Sequence, residues 1–335
     1  MHDNPLISVV MGTYNCSEYL GEAIESILNQ TIKDFEFIII DDASSDSTYE
    51  IIQSYAQKDN RVIGLRNAVN SGLGYSLYTG VSKARGRFIA RMDADDISLP
   101  QRFAVQVKFL ESHPEVACVG TSAKVFGNVS FLAKLKGIHC PTQHEEIKAW
   151  LLLGTPMMHP SVMFNGELMR NLCLNYNPAY RKAQDFELWT RLVFQAPMAN
   201  IDKVLHCYRY SSTMASVSGR KEQIKRSQVM YSRMLAGVLG RHPSDLDLEI
   251  HSLFATQTCL SHSDIIRCID WTETLINANH HSHFFNDACL KTVLSKRLIA
   301  IIVQSNRSIS SRMKYIRISS FLTWNQYQVL IRLLF

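Results

Sequence analysis

The sequence lacks a long apolar run, and this argues against a membrane-spanning helix. None of its apolar runs reaches about 18 residues, the length that such a helix needs. Its 8 cysteines form no CxxC pair and no close cluster. We therefore expect reduced core cysteines and not a disulfide frame or a zinc site. The first residues, Met1 to Pro5, lack the basic-then-apolar pattern of a signal peptide, which favours a cytoplasmic protein.

Acidic residues are missing from the end of the chain. Residues 288–335 hold eight basic residues and no acid, whereas residues 1–287 hold 27 basic and 30 acidic residues. A basic end on a mildly acidic body favours an anionic partner. No nucleic-acid motif occurs, so we expect a membrane surface and no nucleic acid. The apolar clusters at 298–303 and 329–335, with Trp324 and Tyr327, predict a helix lying on that surface. Alternatively, these apolar residues pack on the N-terminal domain of the protein, and the basic residues only form a solvated face.

Strand and helix patterns alternate over the first hundred residues. Apolar runs predict strands at Leu6–Met11, Phe35–Ile40, Arg61–Leu65 and Phe88–Met92. Helical patterns separate these strands, and Ser47 to Glu50 is typical of a capping box. This alternation predicts an α/β fold with a mostly parallel sheet. From about residue 219 onward only helical patterns occur, and 335 residues suit roughly two domains.

Polar groups follow three of the predicted strands. They are Gly12–Asn15, Asp41 with Asp42, and Asp93–Asp96. In an open parallel sheet, ligands bind outside the carboxyl ends of the strands, so these groups should converge. Neither GxGxxG nor GxxxxGK[ST] occurs, which removes the usual backbone cradles for a dinucleotide or a triphosphate.

An aspartate pair after the fourth predicted strand suits a hard divalent cation. Asp93 and Asp95 lie two residues apart and could both approach Mn²⁺ or Mg²⁺. Such an ion would neutralise a diphosphate leaving group. Alternatively, these acids only cap the helix that starts near Pro100.

Three ordered motifs together resemble the family 2 glycosyltransferases. They are PLISVVMGTYN at Pro5–Asn15, DDASSD at Asp41–Asp46, and IARMDADD at Ile89–Asp96. The resemblance is strongest to bacterial enzymes that assemble surface polysaccharides. It implies a GT-A fold over residues 1–215, with 1–100 as the nucleotide-sugar-binding half and 101–215 as the acceptor-binding half. Residues 216–335 would form a helical, basic C-terminal region that associates with a membrane.

The resemblance also implies roles in donor binding. Tyr14 would stack on the nucleotide base, unless it packs on the helix below it, and Asp42 would accept a hydrogen bond from the base. Thr13 and Asn15 would contact the base through backbone groups, and the loop holding Asn70 would border the donor. Asp93 and Asp95 would hold the ribose and the metal-bound diphosphate, with Asp95 binding the metal directly.

A second segment resembles the helix that carries the family's catalytic base. Gln184–Trp189, with Arg191, matches it, although Gln184 stands where glutamate is usual. Asp185 would be the base. Alternatively, it has only a structural role, because the helix dipole favours an acidic residue at a helix N-terminus. Tyr208–Ser211 resembles another segment of the family, in which histidine is common at the position of Ser211. Arg209, in the same segment, could still pair with phosphate.

The expected activity is transfer of one sugar at a time. The resemblance implies an inverting, metal-dependent enzyme that uses a UDP-sugar and a lipid-linked saccharide acceptor. It would act at the inner face of the bacterial cytoplasmic membrane, in capsule, exopolysaccharide or O-antigen assembly. The absence of QxxRW argues against a processive synthase. One rival, a sugar-nucleotide pyrophosphorylase, needs a glycine- and arginine-rich loop that Met11–Cys16 lacks. The other rival is an inactive nucleotide-sugar-binding scaffold or sensor.

Overall fold

The computed structural model describes residues 4–128, 137–210, 220–256 and 260–305. Contacts within the chain divide it into two compact units. The first comprises Met1–His144 and Thr155–Gln223, and the second comprises Glu145–Gly154 and Ile224–Phe335.

The first unit contains one sheet of eight strands. In chain order the strands are β1 (Ile7–Thr13), β2 (Phe35–Asp41), β3 (Val62–Arg66), β4 (Phe88–Asp93), β5 (Ile97–Ser98), β6 (Cys118–Gly127), β7 (Met163–Asn165) and β8 (Met198–Tyr210). Their order across the sheet is β3-β2-β1-β4-β7-β6-β8-β5. Neighbours from β3 to β4 are parallel, as are β6 and β8, whereas β7 and β5 pair antiparallel.

The helices follow the predicted alternation. In chain order they are α1 (Ser17–Leu28), α2 (Thr48–Lys58), α3 (Leu73–Lys83), α4 (Arg102–Ser112), α5 (His144–Trp150), α6 (Gly166–Asn171), α7 (Gln184–Leu192), α8 (Arg220–Leu239), α9 (Asp245–Thr256), α10 (His262–Ser282) and α11 (Asp287–Gln304).

The core of the first unit forms around β1 and β2. Every residue of both strands is buried, which explains why they are near-continuous apolar runs without alternation. Helix α1 covers the sheet with four buried residues at helical spacing, Leu20, Ala23, Ile24 and Ile27. The α/β class and the mostly parallel sheet are therefore confirmed.

The predicted capping box at Ser47–Glu50 is wrong. Ser47 precedes α2 but makes no side-chain capping bond. Instead Asp46 accepts hydrogen bonds from the backbone N–H groups of Thr48 and Ser17, each 3.1 Å long. Although burial raises the pKa of Asp46, these bonds lower it to about 2. One carboxylate thereby ties the start of α1 to the start of α2.

The second unit is helical, as the sequence predicts. Its core includes Phe254 and Trp271, and His251 bonds the Leu152 carbonyl oxygen at 2.6 Å and the Trp271 indole at 3.1 Å. In α11 the apolar cluster at 298–303 contributes four buried residues, Leu298, Ile299, Ile301 and Ile302. This part of the cluster is therefore buried, while its packing on the N-terminal domain stays a prediction.

Residues 306–335 lie outside the described residues, and with them the predicted surface segment around Trp324, Tyr327 and 329–335. Across the described part of the chain, no helix combines the length and apolar character needed to cross a membrane.

Candidate active site

The parallel register brings the three predicted strand ends together. Gly12 of β1 lies opposite Asp93 of β4, and Thr13 lies opposite Asp41 of β2. The Thr13 carbonyl oxygen accepts the N–H of Asp42 at 2.8 Å. The polar groups after β1, β2 and β4 therefore share one edge of the sheet, where an open parallel sheet binds ligands.

The turn after β1 is fixed by the segment after β2. Asn15 adopts a left-handed backbone conformation with φ of 47°. Its N–H donates to the Ser44 hydroxyl, and its side-chain oxygen accepts the N–H of Ser45, both at 2.9 Å. Tyr14, next to this turn, is 50% exposed. Its ring is thus held beside the strand ends with much of its surface open to solvent, as stacking on a base requires.

Asp42 organises the loop that leads to α3. Its carboxylate, only 3% exposed, accepts three hydrogen bonds. The donors are the Asn67 amide at 2.7 Å, the Ser71 N–H at 2.9 Å and the Gly72 N–H at 2.7 Å. A carboxylate offers about four acceptor positions, so roughly one remains for a ligand. The role of Asp42 in binding the base stays a prediction.

The same loop contacts the segment that precedes Asp185. Arg181 donates to the Asn70 side-chain oxygen. A Cβ atom at Gly74 would collide with the Tyr180 carbonyl oxygen, so the start of α3 packs closely against this segment. The loop that the sequence assigned to the donor is therefore linked to the segment that leads into the helix of the expected base.

Three carboxylates gather at the end of β4. One oxygen from each of Asp93, Asp95 and Asp96 lies within 4.8 Å of the others. Asp93 forms an ion pair with Arg91, and Asp96 accepts from His206 and from the Arg209 N–H, both at 2.8 Å. Within the described residues, no side chain hydrogen-bonds to the Asp95 carboxylate. The chemistry of this set suits a hard divalent cation, and Asp95 is its least committed oxygen donor.

The electrostatics of the cluster support the same assignment. Burial, with repulsion from Asp93 and Asp96, raises the pKa of Asp95 to about 7. Burial and Asp93 also raise the pKa of Asp96. Several carboxylates this close cannot all ionise without a compensating charge, and a divalent cation would provide it.

The alternative that these acids cap a helix is wrong. Helix α4 begins after Gln101, and Gln101 makes no side-chain capping bond. The short strand β5, Ile97–Ser98, separates the acids from that helix.

Asp185 lies in the first turn of α7. The residue two before it, Ala183, has a left-handed φ of 57°, which turns the chain sharply into the helix. Burial raises the pKa of Asp185, while the Phe186 N–H and the Arg91 guanidinium act against this shift. Asp93 raises it further, which shows that Asp185 lies within electrostatic reach of the acid cluster. Its role as the base stays a prediction.

Two other residues of the segment that resembles the family's catalytic helix, Glu187 and Arg191, have a structural role. Glu187 is buried and pairs with Arg191 at 2.7 Å. Arg191 also donates to the Asn175 carbonyl oxygen at 2.7 Å. This pair fixes α7 to the segment before it and so fixes the position of Asp185.

Arg209, expected to pair with phosphate, binds the acid loop. Its Nε atom donates to the Asp95 carbonyl oxygen at 2.7 Å, and its Nη2 atom pairs with Glu22. Its guanidinium carbon lies 4.4 Å from the ring centres of both Tyr19 and Phe126. Contact with a phosphate stays a prediction. Ser211, where the expected histidine is replaced, lies outside the described residues.

Two residues of the site were missed by the sequence analysis. Arg91 is a charged residue inside an otherwise apolar strand run, and this mismatch was a readable signal. His206 is fully buried against Asp96, and burial holds the pKa of His206 well below its ordinary value. No local pattern marked His206, because its partner lies 110 residues earlier.

Comparisons with known proteins identify the family. The family model described as Glycosyl transferase family 2 matches residues 8–167. "Putative glycosyltransferase EpsE" of Bacillus subtilis is 34% identical over 69% of this chain and 80% of its own length. An Escherichia coli relative, "UDP-Glc:alpha-D-GlcNAc-diphosphoundecaprenol beta-1,3-glucosyltransferase WfaP", is 29% identical over 68% of this chain and 86% of its own length.

A solved structure shows the same fold. S. aureus TarS 1-349 in complex with UDP-GlcNAc aligns with a TM-score of 0.57 at 16% identity, over 97% of this chain and 90% of that chain. The expected GT-A fold is thereby confirmed. By its sequence relatives, its family motifs and its fold, this chain belongs to glycosyltransferase family 2.

Proposed function

We propose that this chain is a metal-dependent, inverting glycosyltransferase that moves one sugar from a UDP-sugar to a lipid-linked saccharide. One observation carries the proposal. Three carboxylates lie at and just after the end of β4, beside the ends of β1 and β2. A fourth, that of Asp185, lies in the first turn of α7, within electrostatic reach of Asp93. This arrangement supplies oxygen ligands for a cation and, separately, a carboxylate able to accept a proton.

Each acid has its own part in the reaction. Asp93 and Asp95 would hold Mn²⁺ or Mg²⁺, which when bound neutralises the charge that develops on the diphosphate. Asp185 accepts the proton of the acceptor hydroxyl as that oxygen forms a bond to the anomeric carbon. The bond from this carbon to the diphosphate oxygen breaks on the opposite face. A single displacement of this kind inverts the configuration.

Tyr14, Asp42 and the turn holding Thr13 and Asn15 are proposed to bind the base. The exposed ring and the fixed turn support this role. Asn70 would border the donor, because its loop is held by Asp42 through Ser71 and Gly72.

The substrates are proposed from the relatives. WfaP is named for transfer from UDP-Glc to a diphosphoundecaprenol-linked sugar, and the TarS structure contains UDP-GlcNAc. These names support a UDP-sugar donor and a lipid-linked acceptor in surface polysaccharide assembly. A lipid-linked acceptor would place the enzyme at the inner face of the cytoplasmic membrane.

The test is a transfer assay with a panel of UDP-sugars, Mn²⁺ and diphosphoundecaprenol-linked sugars. We expect one donor to stabilise the protein against heat, as mass action requires, and to give a product of inverted anomeric configuration by NMR. Asp185→Asn should abolish most of the transfer, whereas Asp270→Asn, a change of an exposed acid on α10, should not.

Donor binding without transfer or donor hydrolysis would contradict the proposal and support an inactive sugar-nucleotide-binding scaffold. Retention of configuration would contradict the single displacement.

A further inference from the structure

A buried arginine lies beneath the acid cluster. Arg91 is only 2% exposed, and its Nη2 atom pairs with Asp93. Its Nε and Nη1 atoms are buried and have no hydrogen-bond partner among the described residues. Burying a charge is costly unless it is paired, so a guanidinium with two unmatched nitrogens needs an explanation.

The acids around Arg91 supply that explanation. The Arg91 charge lowers the pKa of Asp185, which burial raises. With the four acids ionised, the site would hold four negative charges. One guanidinium and one divalent cation together leave a single negative charge. Arg91 is therefore a positive charge within the protein that balances part of the negative charge of these carboxylates.

Other charged or titratable groups also lie near the acids. Arg209 lowers the pKa of Asp96, but its guanidinium pairs with Glu22 and donates to the Asp95 carbonyl oxygen. Burial, together with the Arg91 charge, holds the pKa of His159 well below its ordinary value, so His159 is neutral. Arg102, the other buried arginine nearby, donates to Gln106 at 3.0 Å and to the carbonyl oxygens of Arg91 at 2.7 Å and Val162 at 3.0 Å. The Arg102 guanidinium is thus directed at backbone and amide oxygens and not at the acids.

Aromatic side chains close the site around Arg91. Tyr176 is buried, bonds His159 at 2.7 Å and lies within electrostatic reach of both Arg91 and Asp185. The rings of Phe164 and Trp189 pack 5.8 Å apart, and Phe164 also packs on Tyr176. In such a water-poor setting a charge acts more strongly on its neighbours than it would in water.

Building on the proposed function, we propose that Arg91 is a positioning residue for sugar transfer. It holds the Asp93 carboxylate at the end of β4 and supplies the positive charge against which Asp185 stays ionised at the start of α7. One buried guanidinium thereby couples the acid of the donor side to the base of the acceptor side.

The first test needs no substrate and so does not depend on the proposed function. The carboxyl carbon of Asp185 is followed by ¹³C NMR in metal-free protein, and its signal is assigned by its loss in Asp185→Asn. The charged or titratable groups that act on Asp185 include Arg91, Asp93 and Tyr176. In Arg91→Met the Asp185 signal should titrate at higher pH than in the wild type, and in Arg91→Lys it should lie between the two.

Arg102→Met is the matched control, since it also removes a buried arginine. It should lower thermal stability without moving the Asp185 titration. An unchanged titration in Arg91→Met, or an equal shift in Arg102→Met, would overturn the coupling of Arg91 to Asp185.

The second test uses turnover once the wild type has been shown to transfer sugar. Arg91→Met should lower kcat about a hundredfold, the scale of a misplaced catalytic group, and raise the donor Kd by much less. The kcat of Arg91→Lys should be at least tenfold higher than that of Arg91→Met, because lysine restores the charge although not the planar guanidinium. A merely structural role predicts no advantage of lysine over methionine.

A double-mutant cycle keeps the proposal testable if Arg91→Met does not fold. Arg91→Lys should lower kcat about tenfold in the wild-type background but less than threefold in Asp185→Asn, since neighbours acting together are not additive. Wild-type turnover in Arg91→Lys, or the same loss in both backgrounds, would refute the proposal. If the wild type transfers no sugar, the proposed function fails, while the NMR titration still decides the role of Arg91.

Discussion

Arg209 donates from its Nε atom to the carbonyl oxygen of Asp95 across a distance of 2.7 Å. The Arg209 N–H also donates to the Asp96 carboxylate at 2.8 Å. The end of β8 thus holds the acid loop at two points, one a backbone carbonyl oxygen and the other a carboxylate. Since an aspartate pair binds a cation only when its oxygens converge, the shape of this loop matters as much as its acids.

Arg209→Met should weaken the binding of UDP in the presence of Mn²⁺ about tenfold or more. A hydrogen bond from a charged group is worth roughly 1.5–3 kcal/mol, and its loss would let the Asp95 loop move. Isothermal titration calorimetry measures the change. Arg267→Met removes a surface ion pair with Glu249 in the second unit and should leave UDP affinity unchanged. Equal affinity in Arg209→Met would show that the loop holds its shape alone.

Asp95→Asn should remove most Mn²⁺-dependent binding of UDP. The hard cation loses a charged oxygen ligand, and the diphosphate loses the charge that neutralises it. Burial and its acidic neighbours raise the pKa of Asp95 to about 7. Its charged form therefore destabilises the ligand-free protein, and Asp95→Asn should increase folding stability. We therefore expect Asp95→Asn to unfold at higher temperature than the wild type without metal, and to lose the stabilisation by Mn²⁺. Transfer at the wild-type rate would contradict the metal assignment.

Asp185→Asn should lower turnover by roughly two to four orders of magnitude, the usual contribution of a positioned base, and preserve donor affinity. The amide keeps the size of the side chain but cannot accept the proton. Steady-state kinetics alongside calorimetry separate the two effects. Weaker donor binding with unchanged turnover would place Asp185 in the donor pocket.

The pH dependence of turnover follows from the same carboxylate. Burial raises the pKa of Asp185, so its ionised, base-competent form is lost at a higher pH than for an exposed aspartate. Turnover should fall as the pH drops through that raised value. Ionising a group with a raised pKa also lowers folding stability as the pH rises. Asp185→Asn should accordingly resist urea at neutral pH at least as well as the wild type.

The sequence predicted the strands of the first hundred residues and the site residues at their ends well, because of how these strands are buried. In β1 and β2 every residue is buried, so the apolar runs and the acids that end them directly mark the strands and the site. Strands β5 and β7, of two and three residues, are too short to show any periodicity. They form because longer strands offer them partners, which no local pattern records.

The parts of the site that escaped prediction depend on distant contacts. The Asp46 cap replaces the predicted capping box because its carboxylate reaches two helix starts that only the folded sheet brings together. His206 meets Asp96 for the same reason. Arg91 was visible as a charge within an apolar strand, but its ion pair with Asp93 and the effect of its charge on Asp185 were not.

Tyr14→Ala should weaken UDP-sugar binding about tenfold or more without changing which sugar is preferred. Base–aromatic stacking is worth roughly 1–3 kcal/mol, and a ring on the base does not touch the sugar. Competition among UDP-sugars, followed by calorimetry, measures both properties. Tyr75→Ala is the matched control, since this tyrosine on α3 is 41% exposed. A changed sugar preference at unaltered affinity would refute stacking by Tyr14.

The basic end of the chain carries the last prediction. Since the apolar residues of α11 are buried in the second unit, membrane binding would depend on residues 306–335. This segment contains Trp324, Tyr327, five basic residues and no acid. Each basic residue near an anionic leaflet contributes on the order of 1 kcal/mol, and salt weakens the attraction. We expect the segment to bring the enzyme to a lipid-linked acceptor.

Co-sedimentation with liposomes measures this binding. The full chain should sediment with anionic vesicles at low salt, less at high salt, and little with neutral vesicles. A truncation after Ser305 keeps all of α11, and so should fold, but should lose most of the binding. A second variant, with Arg307, Arg312, Lys314 and Arg317 changed to glutamine, separates charge from apolar contact. If the truncated chain binds as well as the full chain, or if lipid charge makes no difference, residues 306–335 do not attach this enzyme to the membrane.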